Sequence, residues 1–178
     1  MPDLIIRIKK KTDGSAALSC TRADGSVTWQ RQDGPQGRFF PLHDLTHFAV
    51  ETVLGFRRAF YGLVAEGWDI SRFEIRGAAV QIPAEATFVE VIVGMFDSER
   101  RSGERATADD FNWKIDTYYE QHRTPRPAMR ISDEQLEVIR ARRAELFARW
   151  SDTPAGETLE LAFDRAAESP DTNASVGA

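Results

Sequence analysis

A chain of 178 residues suits one compact domain, and its 23 basic and 28 acidic side chains leave a net charge of −5 and a pI of about 5.3, which speaks against nucleic acid as a partner. Cys20 is the only cysteine, so an intramolecular disulfide and a CxxC zinc site are both excluded. No apolar run reaches the ~18 residues of a membrane span and the leading apolar stretch is too short for a signal peptide, so a cytoplasmic protein without a membrane partner is expected.

Leu4–Lys11 alternates, with Leu4, Ile6 and Ile8 on one face, as a half-buried strand does. Asp13-Gly14 is a hairpin turn signal, and Ala16–Arg22 follows as a second strand with Ala16, Leu18 and Cys20 on one face. Asp24-Gly25 turns the chain again into Val27–Arg31. Three short strands joined by two such turns predict an antiparallel meander, which needs a covering layer on its apolar face.

After the loop Gln32–Arg38, the apolar spacing predicts one long helix from Pro41 to about Glu66, with Pro41 in the first turn and Gly67 just past the end. Leu45, Ala49, Val53, Phe56, Phe60 and Leu63 fall on one face of it and should cover the sheet. The opposite face carries His43, His47, Val50, Leu54 and Tyr61, with Glu51 and Arg58 beside them, so this helix is expected to be central and packed on both sides.

Trp68–Gln81 reads as irregular, with a short extended piece at Phe73–Arg76. Three further helices are expected: Pro83 to about Arg101, then Thr107 as a cap to about His122, then Ser132 to about Trp150. In the last of these Ser132 and Gln135 form a capping box. Thr124-Pro125-Arg126-Pro127 is a stiff linker, and Thr158–Phe163 alternates as a final strand that can join the sheet. The fold class is therefore α+β: a small antiparallel meander packed on a long central helix, with three further helices. Residues 1–164 form a single domain, and 165–178 are polar, small and expected to be disordered.

One segment carries chemistry. His43-Asp44-Leu45-Thr46-His47 places two of the three histidines at i and i+4, where Cβ atoms lie about 6 Å apart and two imidazoles can bind one ion. The segment resembles the HExxH helix of the zincin metallohydrolases, with Asp44 where that family has Glu. The resemblance covers five residues. It implies His43 and His47 as metal ligands and Asp44 as the base that activates water.

Glu51 continues the series from His47 and is a second candidate for base or ligand, although it lies about 12 Å along the axis from His43. Asp44, His122, Glu66 and Asp69 are further candidates for a third ligand, and Arg58 for binding an anionic substrate. Zinc is expected first, then iron or manganese, because two histidines and a carboxylate also suit iron. In the competing reading Asp44 is a helix cap and the histidines are structural, in a non-catalytic adaptor or self-associating module. The partner is then a protein, a second copy included, rather than a small molecule.

The stretches Phe39-Phe40-Pro41-Leu42-His43-Asp44-Leu45-Thr46-His47-Phe48-Ala49-Val50-Glu51 and Phe60–Asp69 also resemble an uncharacterised family of small bacterial proteins, a likeness that implies no particular activity.

Overall fold

The structure is a computed structural model that describes residues 1–74 and 82–165. Its sheet has four antiparallel strands: β1 (Leu4–Lys10), β2 (Ala16–Arg22), β3 (Val27–Gln32) and β4 (Thr158–Phe163), in the order β3-β2-β1-β4. The meander and the fourth strand thus stand as read. β1 is central, with Leu4 opposite Arg22 on one side and Phe163 on the other. Leu4, Ile6 and Ile8, Ala16, Leu18 and Cys20, and Leu159, Leu161 and Phe163 all point to one face and are buried there. The period-2 pattern therefore gathers these side chains into one core, while Val27 and Trp29 of β3 face the other way and are exposed.

Helices α1 (Phe40–Leu54), α2 (Phe60–Ala65), α3 (Ala84–Ser102), α4 (Ala108–His122) and α5 (Asp133–Asp152) complete the fold. α1 is the central helix, packed against the sheet, α3 and α5, while α4 packs on α3. The capping signals hold. Thr107 accepts from Asp110 N–H and Ser132 from Gln135 N–H, each in a reciprocal box. Arg143, a charged residue of α5, is buried. Its Nε donates to Thr46 Oγ1 at 3.2 Å and its Nη2 to the Phe96 carbonyl at 3.3 Å, tying α5 to α1 and α3.

The expected single helix from Pro41 to Glu66 is two helices. Gly55 takes a left-handed φ of 70°, and its N–H and that of Phe56 both donate to the Glu51 carbonyl, ending α1. Arg57 and Arg58 then donate their backbone N–H groups to Glu85 Oε1 on α3, which holds the chain in a turn until α2 begins. Phe56, Arg58, Phe60, Tyr61 and Leu63 consequently do not share faces with α1, and α2 packs separately across β1 and β2. The expected extended piece at Phe73–Arg76 starts in a 3-10 turn, Ile70–Glu74, and runs on outside the described residues, as does the tail beyond Arg165.

The break imposes a tight contact. A Cβ on Gly62 would lie 2.0 Å from the Arg57 carbonyl oxygen, which is backbone and cannot step aside. Gly62→Ala is expected to lower stability by about 3 kcal/mol in urea unfolding; a loss below about 1 kcal/mol would show that the turn relaxes freely.

Cys20, fully buried on β2, has its thiol pushed up to about 12 by burial and the nearby Asp44 carboxylate. The native protein should therefore leave a disulfide reagent unreacted near pH 8, and the thiol should titrate only as urea unfolds the chain.

Candidate metal centre

α1 starts at Phe40, so Asp44 and both histidines lie inside the helix and Asp44 is no cap. His43 and His47 lie on the side of α1 that meets α3, with their rings 4.8 Å apart, edge to face. α3 answers with two carboxylates seven residues apart, Glu90 and Asp97. His43 Nδ1–H donates to Asp97 Oδ2 at 2.7 Å, and His47 Nε2 lies 3.3 Å from Glu90 Oε1. The pairings run in opposite senses along the two helices, 43 with 97 and 47 with 90. One ligand atom each from His43, His47 and Glu90 lie within 4.8 Å of one another.

A tetrahedral ion with bonds of about 2.0–2.1 Å needs donor separations of roughly 3.4 Å, so the side chains must draw in by at most about 1.5 Å. The donor set, two imidazoles and a carboxylate, fits zinc or iron. The surroundings fit as well. Asp97 is almost fully buried, takes the Nδ1 proton of His43 and is held from behind by Arg100 at 3.4 Å, which leaves Nε2 of His43 for coordination. Behind His47, Nδ1 has no hydrogen-bond partner among the described residues and faces Glu51 Oε1 at 3.6 Å. A carboxylate behind each ligand imidazole is the usual way in which ring orientation and basicity are set. His43 is 24% exposed and the Glu90 side chain 52%, so the centre opens to solvent between α1 and α3. Phe39 and Phe60 flank the imidazoles, with centroids 5.3 Å and 5.4 Å away.

The electrostatics follow from this packing. Burial works against a charged His47, but the carboxylates of Glu90 and Glu51 outweigh it and hold the imidazole up at about 10. Burial raises Glu90 and Asp97 as well, and the histidines they face more than offset it, so both carboxyls sit below the ordinary range. Asp44 is pushed up to about 6 by burial, which the hydrogen bond from Gln32 only partly opposes.

Of the residues singled out in the sequence, His43 and His47 come together with Glu90, which sequence reasoning missed. Asp44 instead accepts from Gln32 of β3, and its backbone carbonyl accepts from the Tyr61 hydroxyl at 3.2 Å. Glu51 is fully buried. Its carboxylate accepts the N–H groups of Tyr61 at 3.0 Å and Gly62 at 3.3 Å at the start of α2. Arg58 pairs with Glu66 at 3.1 Å. His122 is exposed, stacked on Tyr118, and Asp69 accepts from Thr28; neither belongs to the group. The readable signal for Glu90 and Asp97 was two carboxylates two turns apart, beside the apolar stripe of α3.

Compared with known proteins, the chain matches no protein family, no curated protein and no solved structure. Among the described residues no helix is long and apolar enough to cross a membrane.

Glu51→Ala would strand two buried N–H groups. It is expected to cost about 3 kcal/mol in urea unfolding, with Glu51→Gln, which keeps an acceptor oxygen, losing less than half of that. Equal losses in both variants would show that the charge, and not the cap on α2, is what matters.

Proposed function

We propose that the protein is a metal-dependent hydrolase with His43, His47 and Glu90 as ligands. The observation that carries this reading is their convergence, backed by a carboxylate behind each imidazole. Three protein ligands leave a fourth position of a zinc-type site open, as hydrolytic centres require. A bound divalent ion would polarise a substrate carbonyl or phosphoryl group and acidify water. Zinc is the first candidate, iron or manganese the next.

In this reading Asp97 orients His43 and Glu51 orients His47. Glu51 thus acts as a positioning residue and not as the base. The zincin likeness supports Asp44 as the proton acceptor, but its bond to Gln32 supports a role in fixing α1 against β3. Arg58, paired with Glu66, is given no part in substrate binding.

One observation favours a second reading. His47 lies between Glu51 and Glu90 as an imidazolium would, 3.6 Å and 3.3 Å from their oxygens, so the cluster can balance its own charge. The protein would then be a non-catalytic or self-associating module with structural histidines.

Elemental analysis after brief dialysis separates the two. The hydrolase reading expects near-stoichiometric zinc, iron or manganese that is lost in His47→Ala and in Glu90→Gln while the circular dichroism spectrum is kept. No retained metal after refilling with each ion, together with a large loss of stability in His47→Ala, would establish the second reading instead.

A further inference from the structure

A cleft of about 300 Å3 opens between the end of α3 and the middle of α5. Four arginines line it, Arg100, Arg105, Arg140 and Arg143, against two acids, Glu99 and Glu104. Its volume matches the smaller of the usual small-molecule sites, which run from about 300 to 1,000 Å3.

Arg143 stands apart from the other three. Only 7% of it is exposed, and its guanidinium lies over the rings of Phe96 and Phe147, 4.6 Å and 5.2 Å from their centroids. Phe147 lines the cleft too, so it is the charged end of Arg143 that reaches the wall. Nε and Nη2 donate to neutral acceptors, the Thr46 hydroxyl and the Phe96 carbonyl. Nη1 has no acceptor among the described residues and is not sealed from solvent. Burial pushes the guanidinium down to about 10, and Glu99 and Asp97 oppose this only from a distance, so the group is charged at neutral pH. A buried charge with no counter-ion against it is costly.

The other cations are more fully engaged. Arg100 pairs with Asp97 at 3.4 Å, and Arg140 with Glu137 at 2.8 Å and with Glu99. Arg105 gives only Nη2 to Glu137, at 2.6 Å, and with its side chain 61% exposed it leaves Nε and Nη1 to solvent. Glu99 is taken up by Arg140 and by the Ala106 N–H at 2.8 Å, so exposed Glu104 is the acid of the wall with no partner among the described residues. The open donors thus sit on two side chains. A planar carboxylate gains most from two parallel bonds to one guanidinium, which Arg143 cannot offer, whereas a tetrahedral phosphoryl group takes donors from several directions.

We propose that this cleft binds a phosphate monoester of a small molecule, its phosphoryl group on Nη1 of Arg143 and on Arg105 and its organic part against Phe147. The dianion supplies the counter-ion that Arg143 lacks. The site does not depend on the metal centre.

The test is calorimetric titration of the full chain, freed of metal by dialysis against a chelator and then against chelator-free buffer, with phenyl phosphate, inorganic phosphate and benzoate. Phenyl phosphate is expected to bind one per chain with a Kd below about 1 mM. Inorganic phosphate should compete with it and bind about fivefold more weakly, because it leaves Phe147 in water. Benzoate should bind at least about tenfold more weakly. Arg143→Met should weaken phenyl phosphate by about 10- to 100-fold. Two exposed positions keep the test open if that variant fails to fold: Arg105→Gln should weaken binding by about 2- to 5-fold, and Glu104→Gln, which removes a repelling carboxylate, should tighten it by about the same factor. No binding of phenyl phosphate at several millimolar, equal binding of inorganic phosphate or of benzoate, or affinity unchanged in Arg105→Gln or weakened in Glu104→Gln would each overturn the proposal.

Discussion

Glu51 is the residue on which the arrangement of this molecule turns. Its backbone carbonyl takes the N–H groups of Gly55 and Phe56 and so ends α1. Its side chain takes the N–H groups of Tyr61 and Gly62 and so begins α2. Its Oε1 also faces His47. A carboxylate with no solvent exposure is expensive, and burial holds its carboxyl above the ordinary range. The two amide groups and the imidazole are what make it tolerable. One side chain thereby fixes the break in the chain, the seat of α2 on the sheet and the back of the histidine cluster.

The candidate centre inherits its rigidity from the same packing. All three candidate ligands come from helices rather than loops, and α1 is held from three sides, by the sheet, by α3 and by α5. Gln32 on Asp44, Arg143 on Thr46 and Asp97 on His43 join α1 to each of these layers by a polar contact inside an otherwise apolar contact surface. Sites on rigid elements, supported by further hydrogen bonds, hold their geometry better than sites on loops. The separation of the acids on α3 matters too: seven residues, about 10.5 Å of helix, let each carboxylate meet a different histidine.

The strands were legible because local rules decide them. Two Asp-Gly turns and a partial alternation placed β1, β2 and β3, and Thr158–Phe163 alternates within its own six residues. Thr107 and Ser132 announced two helices by the chemistry of a cap. The break after Leu54 was not legible, because Gly55 sits inside an apolar run whose spacing continues to suit a helix. What keeps the chain from resuming the helix there is tertiary, namely Glu85 on α3 holding the backbone of Arg57 and Arg58. The same limit applied to the site. His43 and His47 share one helix and declare themselves by spacing, whereas Glu90 lies 43 residues beyond His47 and becomes their neighbour only through the register of α1 against α3. Asp44 looked like a cap or a base, and its real partner, Gln32, closes a strand that seemed to end one residue earlier.

The strand order has a consequence for how the chain comes to be folded. β1 lies between β2 and β4, and Leu4 pairs with a residue 159 positions further on, Phe163. On the ribosome β1, β2 and β3 emerge before the helices and can zip together at once, but one edge of β1 stays bare until helices α1 to α5 have been made. Closing that seam brings together segments far apart in the chain, a slow step by loop-closure entropy. Until then the nascent sheet presents β1 as an open edge, a strand rich in isoleucine whose end is guarded by three consecutive lysines.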